Sequence, residues 1–268
     1  MFLIDSHCHL DKINLKNFKN GLTDVLNNAY LKSVKIILVV STSLNNFKKI
    51  KKKFKNIKYN IYYSCGIHPL SICKKKKSFK LIKSFSKDKK VIAIGETGLD
   101  YFYQKKNLKD QIKLFYKHIY LSKKINKPLI IHSRNANKDT IKILQSEKSK
   151  GCKGILHSFN YDFKTASKFL DMGFYISISG IFTFKNSIEL RSVIKKIPLN
   201  RILLETDSPY LTPFPYRGKE NQPSYVYYIA KYLSNLLKID LEELSYITSK
   251  NFFKLFNLKK NNSIFEDI

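Results

Sequence analysis

The sequence has few cysteines and no long hydrophobic run, and both absences exclude classes of protein. Its 268 residues contain four cysteines: Cys8, Cys65, Cys73 and Cys152. None forms a C-x-x-C pair, which excludes a disulfide scaffold and a cysteine-ligated structural zinc site. No segment approaches about 18 uncharged apolar residues, and the apolar run after Met1 ends at Asp5. We therefore predict a cytoplasmic protein without a transmembrane helix or secretory signal.

Acidic residues are scarce as well, with 20 Asp and Glu against 50 Lys and Arg and a formal net charge of +30. Such an excess favours a polyanionic partner, because Lys and Arg neutralise phosphates. However, only four of the 50 basic residues are arginine, and lysine also fills solvated positions in AT-rich genomes. Charge alone therefore establishes no nucleic-acid partner.

The sequence also lacks a linker rich in proline, glycine or serine and any shift in composition along its length. Its content of 43% hydrophobic and 13% aromatic residues is enough to bury a core and excludes wholesale disorder. We therefore predict a single domain over residues 1–268.

What is present is an alternation of strand-like and helix-like segments. Eight short apolar runs lie at 2–5, 34–40, 61–67, 91–96, 128–132, 153–157, 174–179 and 201–206. Amphipathic stretches such as 108–125 separate them, and two more, near 224–237 and 241–256, follow the eighth run. Continuous apolar runs are typical of strands buried on both faces of a parallel sheet.

Eight such strands alternating with helices predict an α/β fold, a (distorted) TIM (β/α)8 barrel. A doubly wound open sheet is the alternative. It is disfavoured because the sequence contains neither G-x-G-x-x-G nor a Walker motif.

Histidines and carboxylates gather where these predicted strands end, the place where barrel enzymes carry their chemistry. Five of the six histidines lie at strand ends, and only His118 does not. The candidate residues are His7, His9, His68, Glu96, His132, His157 and Asp207. A single such histidine would more often cap a strand or fill a polar layer, but the clustering favours a functional site.

The spacing of these residues indicates two metal positions. His7 and His9 are two residues apart on an extended strand, so their side chains share a face. His132 and His157 come from neighbouring strands, and Glu96 could bridge two ions with its two oxygens. Four imidazoles and two carboxylates fit two divalent ions about 3.5–4 Å apart that lower the pKa of a shared water. Asp207 can ligate the first ion and accept a proton from that water.

The sequence resembles the TatD family of metal-dependent deoxyribonucleases over nearly its whole length. The shared motifs are DSHCHLD at 5–11, GIHP at 66–69, GETGLDY at 95–101, IIHSR at 130–134, LHSF at 156–159, LLETDSPYLTP at 203–213 and YRGKENQP at 216–223. The resemblance implies that His7, His9, Glu96 and Asp207 hold one ion and that Glu96, His132 and His157 hold a second. It also implies a magnesium-dependent 3′–5′ exonuclease that favours single-stranded DNA. Many related barrels carry a carbamylated lysine where this chain has Glu96, so the resemblance is to the TatD-like branch.

Several further residues are candidate substrate contacts. We predict that His68 contacts the substrate phosphate or the transition state rather than a metal, although it could also be a loop histidine held by Pro69. Arg134, Arg217 and Lys219 lie on loops that follow strands and are candidate phosphate contacts. Solvation is the alternative for each of these three cations.

Residues near the predicted rim could add binding surface. Lys74–Lys77 and Lys105–Lys106 could attract a polyanion, and Tyr101 and Tyr103 could stack on unpaired bases or simply pack at the rim. We expect Asp5 to orient the ring of His7 or His9. Cys8 and His118 are expected to be structural.

These observations leave three functions open. The first is a phosphodiesterase with Asp207, Glu96 and His68 as catalytic residues and DNA as substrate. The second is an esterase or amidase with the same site, such as a D-aminoacyl-tRNA deacylase. The third is a non-catalytic nucleic-acid-binding barrel. The metal could be Mg²⁺, Mn²⁺ or Zn²⁺, since imidazoles suit zinc or manganese whereas magnesium prefers oxygen ligands.

Overall fold

The computed structural model describes residues 1–72, 78–103 and 107–258. Its parallel sheet has eight strands: Leu3–Cys8 (β1), Val34–Val39 (β2), Asn60–Cys65 (β3), Val91–Asp100 (β4), Leu129–Arg134 (β5), Gly154–Leu156 (β6), Tyr175–Ile178 (β7) and Ile202–Leu204 (β8). The described α-helices are Leu22–Leu31 (α1), Leu44–Lys53 (α2), Ser78–Phe85 (α3), Leu108–Ile125 (α4), Asn137–Gln145 (α5), Phe163–Asp171 (α6), Ile188–Ile194 (α7), Val226–Leu237 (α8) and Leu241–Phe256 (α9). The strands pair in the order β1 to β8, so the predicted TIM barrel is confirmed. In the described ranges, no helix has the length and apolar content needed to cross a membrane.

The barrel closes where the ends of β1 and β8 meet. Cys8 and Ser208 form an isolated parallel bridge. The N–H of His9 donates to the carbonyl of Ser208 at 2.8 Å, and the N–H of Asp207 donates to the carbonyl of His7 at 2.8 Å. This seam therefore sets three of the predicted metal ligands beside one another through the backbone.

Asp5 reinforces the seam rather than orienting a histidine ring, which corrects our expectation for this residue. Its buried carboxylate accepts from the N–H of Thr206 at 2.9 Å and from the N–H of His7 at 3.3 Å. The hydroxyl of Thr206 also donates to this carboxylate, so both its oxygens are engaged, while Nδ1 of His9 is paired with the carbonyl of Val40. Its effect on His7 is thus exerted through the main chain.

Two apolar clusters form the core, one on each side of the strands. Side chains such as Leu3 and Ile37 pack outward against the helices. Their neighbours Ile4 and Ile36 point the other way and join a second cluster with the aromatic residues of α9. Helix α9 also bonds to the start of β1, where the hydroxyl of Ser245 donates to the carbonyl of Phe2. Helix α9 therefore covers the amino end of the barrel and leaves the carboxyl end, the mouth, open.

Three strands extend further into the mouth than predicted. The apolar runs end at residues 5, 96 and 132, but β1, β4 and β5 continue to Cys8, Asp100 and Arg134. The apolar pattern stops early because the last residues are polar and face the mouth. Gly98 makes this extension possible, since its φ is +138° and a β-carbon there would overlap the carbonyl oxygen of His132.

Candidate metal centre and active site

The structure brings all six predicted metal ligands together at the mouth. A cavity of about 880 Å³ opens there, and Glu96 and His132 lie in its wall. The side chains of the six ligands are at most 15% exposed. Such a concave site with few, convergent polar groups is typical of a small-ligand or reaction site.

The first cluster joins β1 to the ends of β4 and β8. The Nε2 atoms of His7 and His9 are 3.4 Å apart, and each lies 3.5 Å from Oδ1 of Asp207. Both Nε2 atoms are also 3.7 Å from Oε2 of Glu96, a buried oxygen without a hydrogen-bond partner among the described residues. Four ligands held about 2.0–2.2 Å from a tetrahedral ion are separated by roughly 3.3–3.6 Å. His7, His9 and Asp207 therefore lie close enough together to hold one divalent ion, and Oε2 of Glu96 lies beside the two imidazoles.

The second cluster uses the other oxygen of Glu96. Its Oε1 lies 3.0 Å from Nδ1 of His132 and 3.0 Å from Nε2 of His157. These two nitrogens are 3.3 Å apart. Glu96 therefore directs one carboxylate oxygen, Oε2, at the first cluster and the other, Oε1, at the second.

Hydrogen bonds on the far side of the rings orient two of the imidazoles. Nδ1 of His9 donates to the carbonyl of Val40 at 3.1 Å, so its Nε2 is free for a ligand. Nε2 of His132 donates to Oδ2 of Asp100 at 2.9 Å, so its Nδ1 faces the site. Such partners fix the ring and its tautomer and strengthen the ligand.

Glu205 and Asp100 support the site, and the sequence analysis did not select them. Oε1 of Glu205 accepts from the N–H of Ser158 at 2.6 Å and lies 3.5 Å from Nδ1 of His157. A period-two signal was available for Asp100 on β4, because residues two or four apart along a strand share a face. Asp100 follows Glu96 by four residues, whereas Glu205 and Asp207 lie beyond the end of β8 at Leu204.

Burial and neighbouring charges set the protonation of the site. Burial opposes ionisation of Glu96, but the adjacent His68 and His157 hold its pKa well below the usual range. Burial lowers the pKa of His9 to about 3, so this ring is neutral, the form that binds metals. Burial, and then the charges of Glu205 and Glu96, raise the pKa of Asp207 to about 8 against the opposing effect of His157.

His68 lies at the edge of the second cluster as a hydrogen-bond donor. Its Nδ1 accepts from the N–H of Leu70 at 3.1 Å, so the proton of the neutral ring sits on Nε2. That Nε2 lies 3.4 Å from Oε1 of Glu96. With its lone pair engaged, His68 is better placed to donate to a substrate oxygen than to bind an ion. A substrate contact therefore stays our prediction for this residue.

Only one of the three predicted phosphate-binding cations reaches the cavity. Arg134 lines it, whereas Arg217 and Lys219 do not. The guanidinium of Arg217 instead lies 3.8 Å from the ring of Phe184 and donates to the carbonyl of Thr212 at 3.0 Å. The path of the long loop after β8 causes this placement, which strand patterns do not reveal.

The lysines and tyrosines predicted at the rim differ in where the structure places them. Lys74–Lys77 and Lys105–Lys106 lie outside the described residues. Tyr101 is held by donating its hydroxyl to Asp139 at 2.7 Å, while Tyr103 is 63% exposed.

The two residues expected to be structural are both buried. Cys8 lies at the seam, 3.1 Å from the hydroxyl oxygen of Ser208. His118 accepts from the N–H of Ile67 and has the carbonyl of Leu114 at its other nitrogen.

Fold and site together define a metal-dependent hydrolase built on a (β/α)8 barrel. The model of the family described as TatD-related DNase matches residues 4–257. The chain belongs to this family.

Its relatives support the same class. It is 56% identical over 266 residues to "Uncharacterized metal-dependent hydrolase BU355" of Buchnera aphidicola subsp. Acyrthosiphon pisum, covering 96% of this chain and all of the relative. It is 43% identical to "Uncharacterized metal-dependent hydrolase YcfH" of Escherichia coli K12, covering 96% and 97% of the two chains. Among solved structures, it superposes on the TatD homologue YjjV of Escherichia coli with a TM-score of 0.84 and 27% identity, covering 96% and 98%.

Proposed function

We propose that this protein is a deoxyribonuclease that hydrolyses phosphodiester bonds of single-stranded DNA from the 3′ end and uses two divalent ions. The observation that carries the proposal is the position of Glu96, whose two oxygens face two separate groups of ligands. A paired site of this kind is typical of enzymes that displace one oxygen at phosphorus by another. The proposal includes a cytoplasmic location.

The ligand sets follow from the two clusters. The first ion would be held by His7, His9, Asp207 and Glu96. The second ion would be held by Glu96, His132 and His157. When bound, the ions lower the pKa of the attacking water and stabilise charge on the phosphate. The donor atoms suit Zn²⁺ or Mn²⁺, and Mg²⁺ remains the third candidate.

Protein side chains supply the remaining steps. Asp207 accepts the proton of the attacking water, because its carboxylate lines the cavity and lies 3.5 Å from the imidazoles of the first cluster. The Nε2–H of His68 donates to a non-bridging phosphate oxygen. Arg134, at the cavity wall, binds a phosphate oxygen through its guanidinium N–H groups. Arg217 and Lys219 lie outside the cavity and would meet phosphates further along the strand.

DNA is favoured as substrate by the charge of the chain and by the family. The net charge of +30 attracts a polyanion, and the cations Lys12 and Arg134 both line the cavity. The matching family model carries the description of a DNase.

The test is a nuclease assay on single-stranded DNA labelled at the 3′ or the 5′ end, with EDTA, Mg²⁺, Mn²⁺ or Zn²⁺. We expect metal-dependent trimming from the 3′ end. In Glu96→Gln it should fall by about 1,000-fold or more, because the bridging carboxylate is lost. The control Glu189→Gln changes an exposed carboxylate on α7 and should retain full activity.

Two outcomes would contradict the proposal. Trimming that survives in Glu96→Gln would show that the bridging carboxylate is not part of the site. Absence of trimming by metal-loaded protein would instead favour a carbonyl substrate, such as an aminoacylated transfer RNA, because the same ligands can activate water against carbon.

A further inference from the structure

Exposed aromatic side chains flank the candidate metal centre on opposite sides of the mouth. Phe102 and Tyr103, which we call the β4 aromatic pair, follow β4 and are 51% and 63% exposed. Tyr210 follows β8 and is 49% exposed. All three side chains line the cavity. In a barrel with the strand order β1 to β8, the junction of β4 with β5 lies across the mouth from the junction of β8 with β1.

The β4 aromatic pair is tied to a metal ligand. Oδ1 of Asp100 accepts from the N–H of Phe102 at 3.1 Å and from the N–H of Tyr103 at 2.8 Å. Oδ2 of the same carboxylate accepts from His132 at 2.9 Å. The backbone that carries the two rings is therefore held at a set place relative to the second cluster by one buried side chain.

Arg134 adds a cation to this side of the mouth. Its guanidinium carbon lies 4.3 Å from the ring centre of Phe102 and 4.6 Å from that of Tyr103. No hydrogen-bond acceptor for its guanidinium is found among the described residues. The rings thus support the face of the guanidinium, while its N–H groups remain available for a phosphate.

Tyr210 provides the matching arrangement on the other side. Its ring stands edge-on to the ring of His9, with centroids 6.1 Å apart, and its N–H donates to the carbonyl of Asp207 at 3.0 Å. The ammonium of Lys12 lies 5.5 Å from the ring centre. Each side of the mouth therefore combines an exposed ring, a cation and a link to a ligand of one cluster.

We propose that the β4 aromatic pair and Tyr210 are two base-stacking subsites, one for each nucleotide that flanks the scissile phosphodiester. This inference rests on the proposed function. Rings beside cations suit a single strand, because every base has a face that can stack and each phosphate needs a positive partner. The enzyme would then require an unpaired base on both sides of the bond that it cleaves. A base-paired duplex cannot offer its bases to two rings on opposite sides of the mouth.

The experiment combines variants with abasic substrates. The substrates are short single strands, and the two positions tested are the last and the next-to-last nucleotide at the end that the enzyme trims. Four strands carry an abasic nucleotide at the last position, at the next-to-last position, at both or at neither. The proteins are wild type, Tyr210→Ala and the double variant Phe102→Ala/Tyr103→Ala. The matched control is Tyr30→Ala, because Tyr30 is 58% exposed beside Lys35, away from the cavity at the end of α1.

We expect each abasic position to raise KM of the wild type by roughly 5- to 100-fold, the usual effect of losing one stacked base. In each variant, the increase in KM caused by an abasic nucleotide at one of the two positions should fall below about twofold. The position at which this happens should differ between the two variants. Tyr210→Phe should retain both penalties because it keeps the ring. Tyr30→Ala should behave as the wild type.

Binding separates this inference from the proposed function. The dissociation constants of the same four strands, measured by fluorescence anisotropy in EDTA, should show the same penalties without any cleavage. Penalties that are equal in wild type and variants would overturn the stacking subsites even if the strands are trimmed. The protein could also trim no strand and yet show binding penalties that each variant removes at its own position. That result would support the subsites and reject the nuclease. Absence of both binding and trimming would reject both.

Discussion

The two ends of the barrel differ in whether their buried polar atoms have hydrogen-bond partners. At the amino end, the carbonyl of Phe2 accepts from the hydroxyls of Ser245 and Ser249, at 2.6 and 2.7 Å. At the mouth, Nδ1 of His7 and Oε2 of Glu96 are buried without a hydrogen-bond partner in the described part of the chain. Unsatisfied buried groups destabilise a fold, typically by about 1–3 kcal/mol each. The amino end therefore supplies stability, whereas the mouth keeps polar atoms available for ligands.

The largest expected effect concerns the amino end alone. Phe252 of α9 is fully buried, and its ring centre lies 4.5 Å from that of Phe256. We expect Phe252→Ala to lower the free energy of unfolding by about 3–5 kcal/mol through lost burial and a cavity. Chemical denaturation measures this, with Tyr120→Ala, 62% exposed on α4, as a control that changes stability by less than about 0.5 kcal/mol.

The separation of the two ends also predicts that the folded Phe252→Ala protein keeps its hydrolytic rate. A large drop in kcat at a temperature where the variant is fully folded would show that packing under the barrel controls the mouth.

A smaller effect should appear at His118, which connects helix α4 to the loop after β3. Burial lowers its pKa to about 4 from an unfolded value near 6.5. The unfolded chain therefore binds the extra proton between these values, so the stabilisation is complete above pH 6.5 and is lost as pH falls toward 4. Between pH 7 and 4.5 we expect wild type to lose about 2–3 kcal/mol more stability than His118→Gln.

Urea denaturation of both proteins at the two pH values checks this expectation. Parallel losses of stability in wild type and variant would mean that His118 is not buried in its neutral form.

The smallest effect is expected for Asp100, which orients His132. Asp100→Asn removes the negative charge but keeps an acceptor, so we expect about 10- to 100-fold weaker metal binding or activity. Metal titration by calorimetry measures it. Asp139→Asn is the matched control, because Asp139 accepts from Tyr101 at 2.7 Å and has no hydrogen bond to a predicted metal ligand within the described residues. Equal losses of metal affinity in both variants would indicate a general effect on the segment after β4 rather than the orientation of the His132 ring.

The barrel could be predicted from the sequence because its strands are buried on both faces and therefore appear as continuous apolar runs. The same rule misplaced the ends of β4 and β5, since polar residues such as Asp100 and Arg134 still belong to the ladder. The convergence of the histidines followed from geometry, because parallel strands bring their carboxyl ends to one rim.

Other parts of the site depend on non-local contacts that a sequence pattern does not contain. Arg217 was predicted to contact phosphate because it follows β8, and its guanidinium packs on Phe184, which follows β7, outside the cavity. Asp5 was assigned to a ring and instead accepts from Thr206, about two hundred residues away. Asp100 was open to prediction, because it lies four residues after Glu96 on β4.

The seam between β1 and β8 gives the enzyme a built-in order of assembly. Its ligands stretch along the chain from His7, near the start, to Asp207, and β1 is held from below by Ser245 on the last described helix. During synthesis, an emerging chain that has not yet reached Asp207 contains the histidines but lacks a predicted ligand of the first cluster. Hydrolysis at this site can therefore begin only after β8 has joined β1 and the barrel has closed.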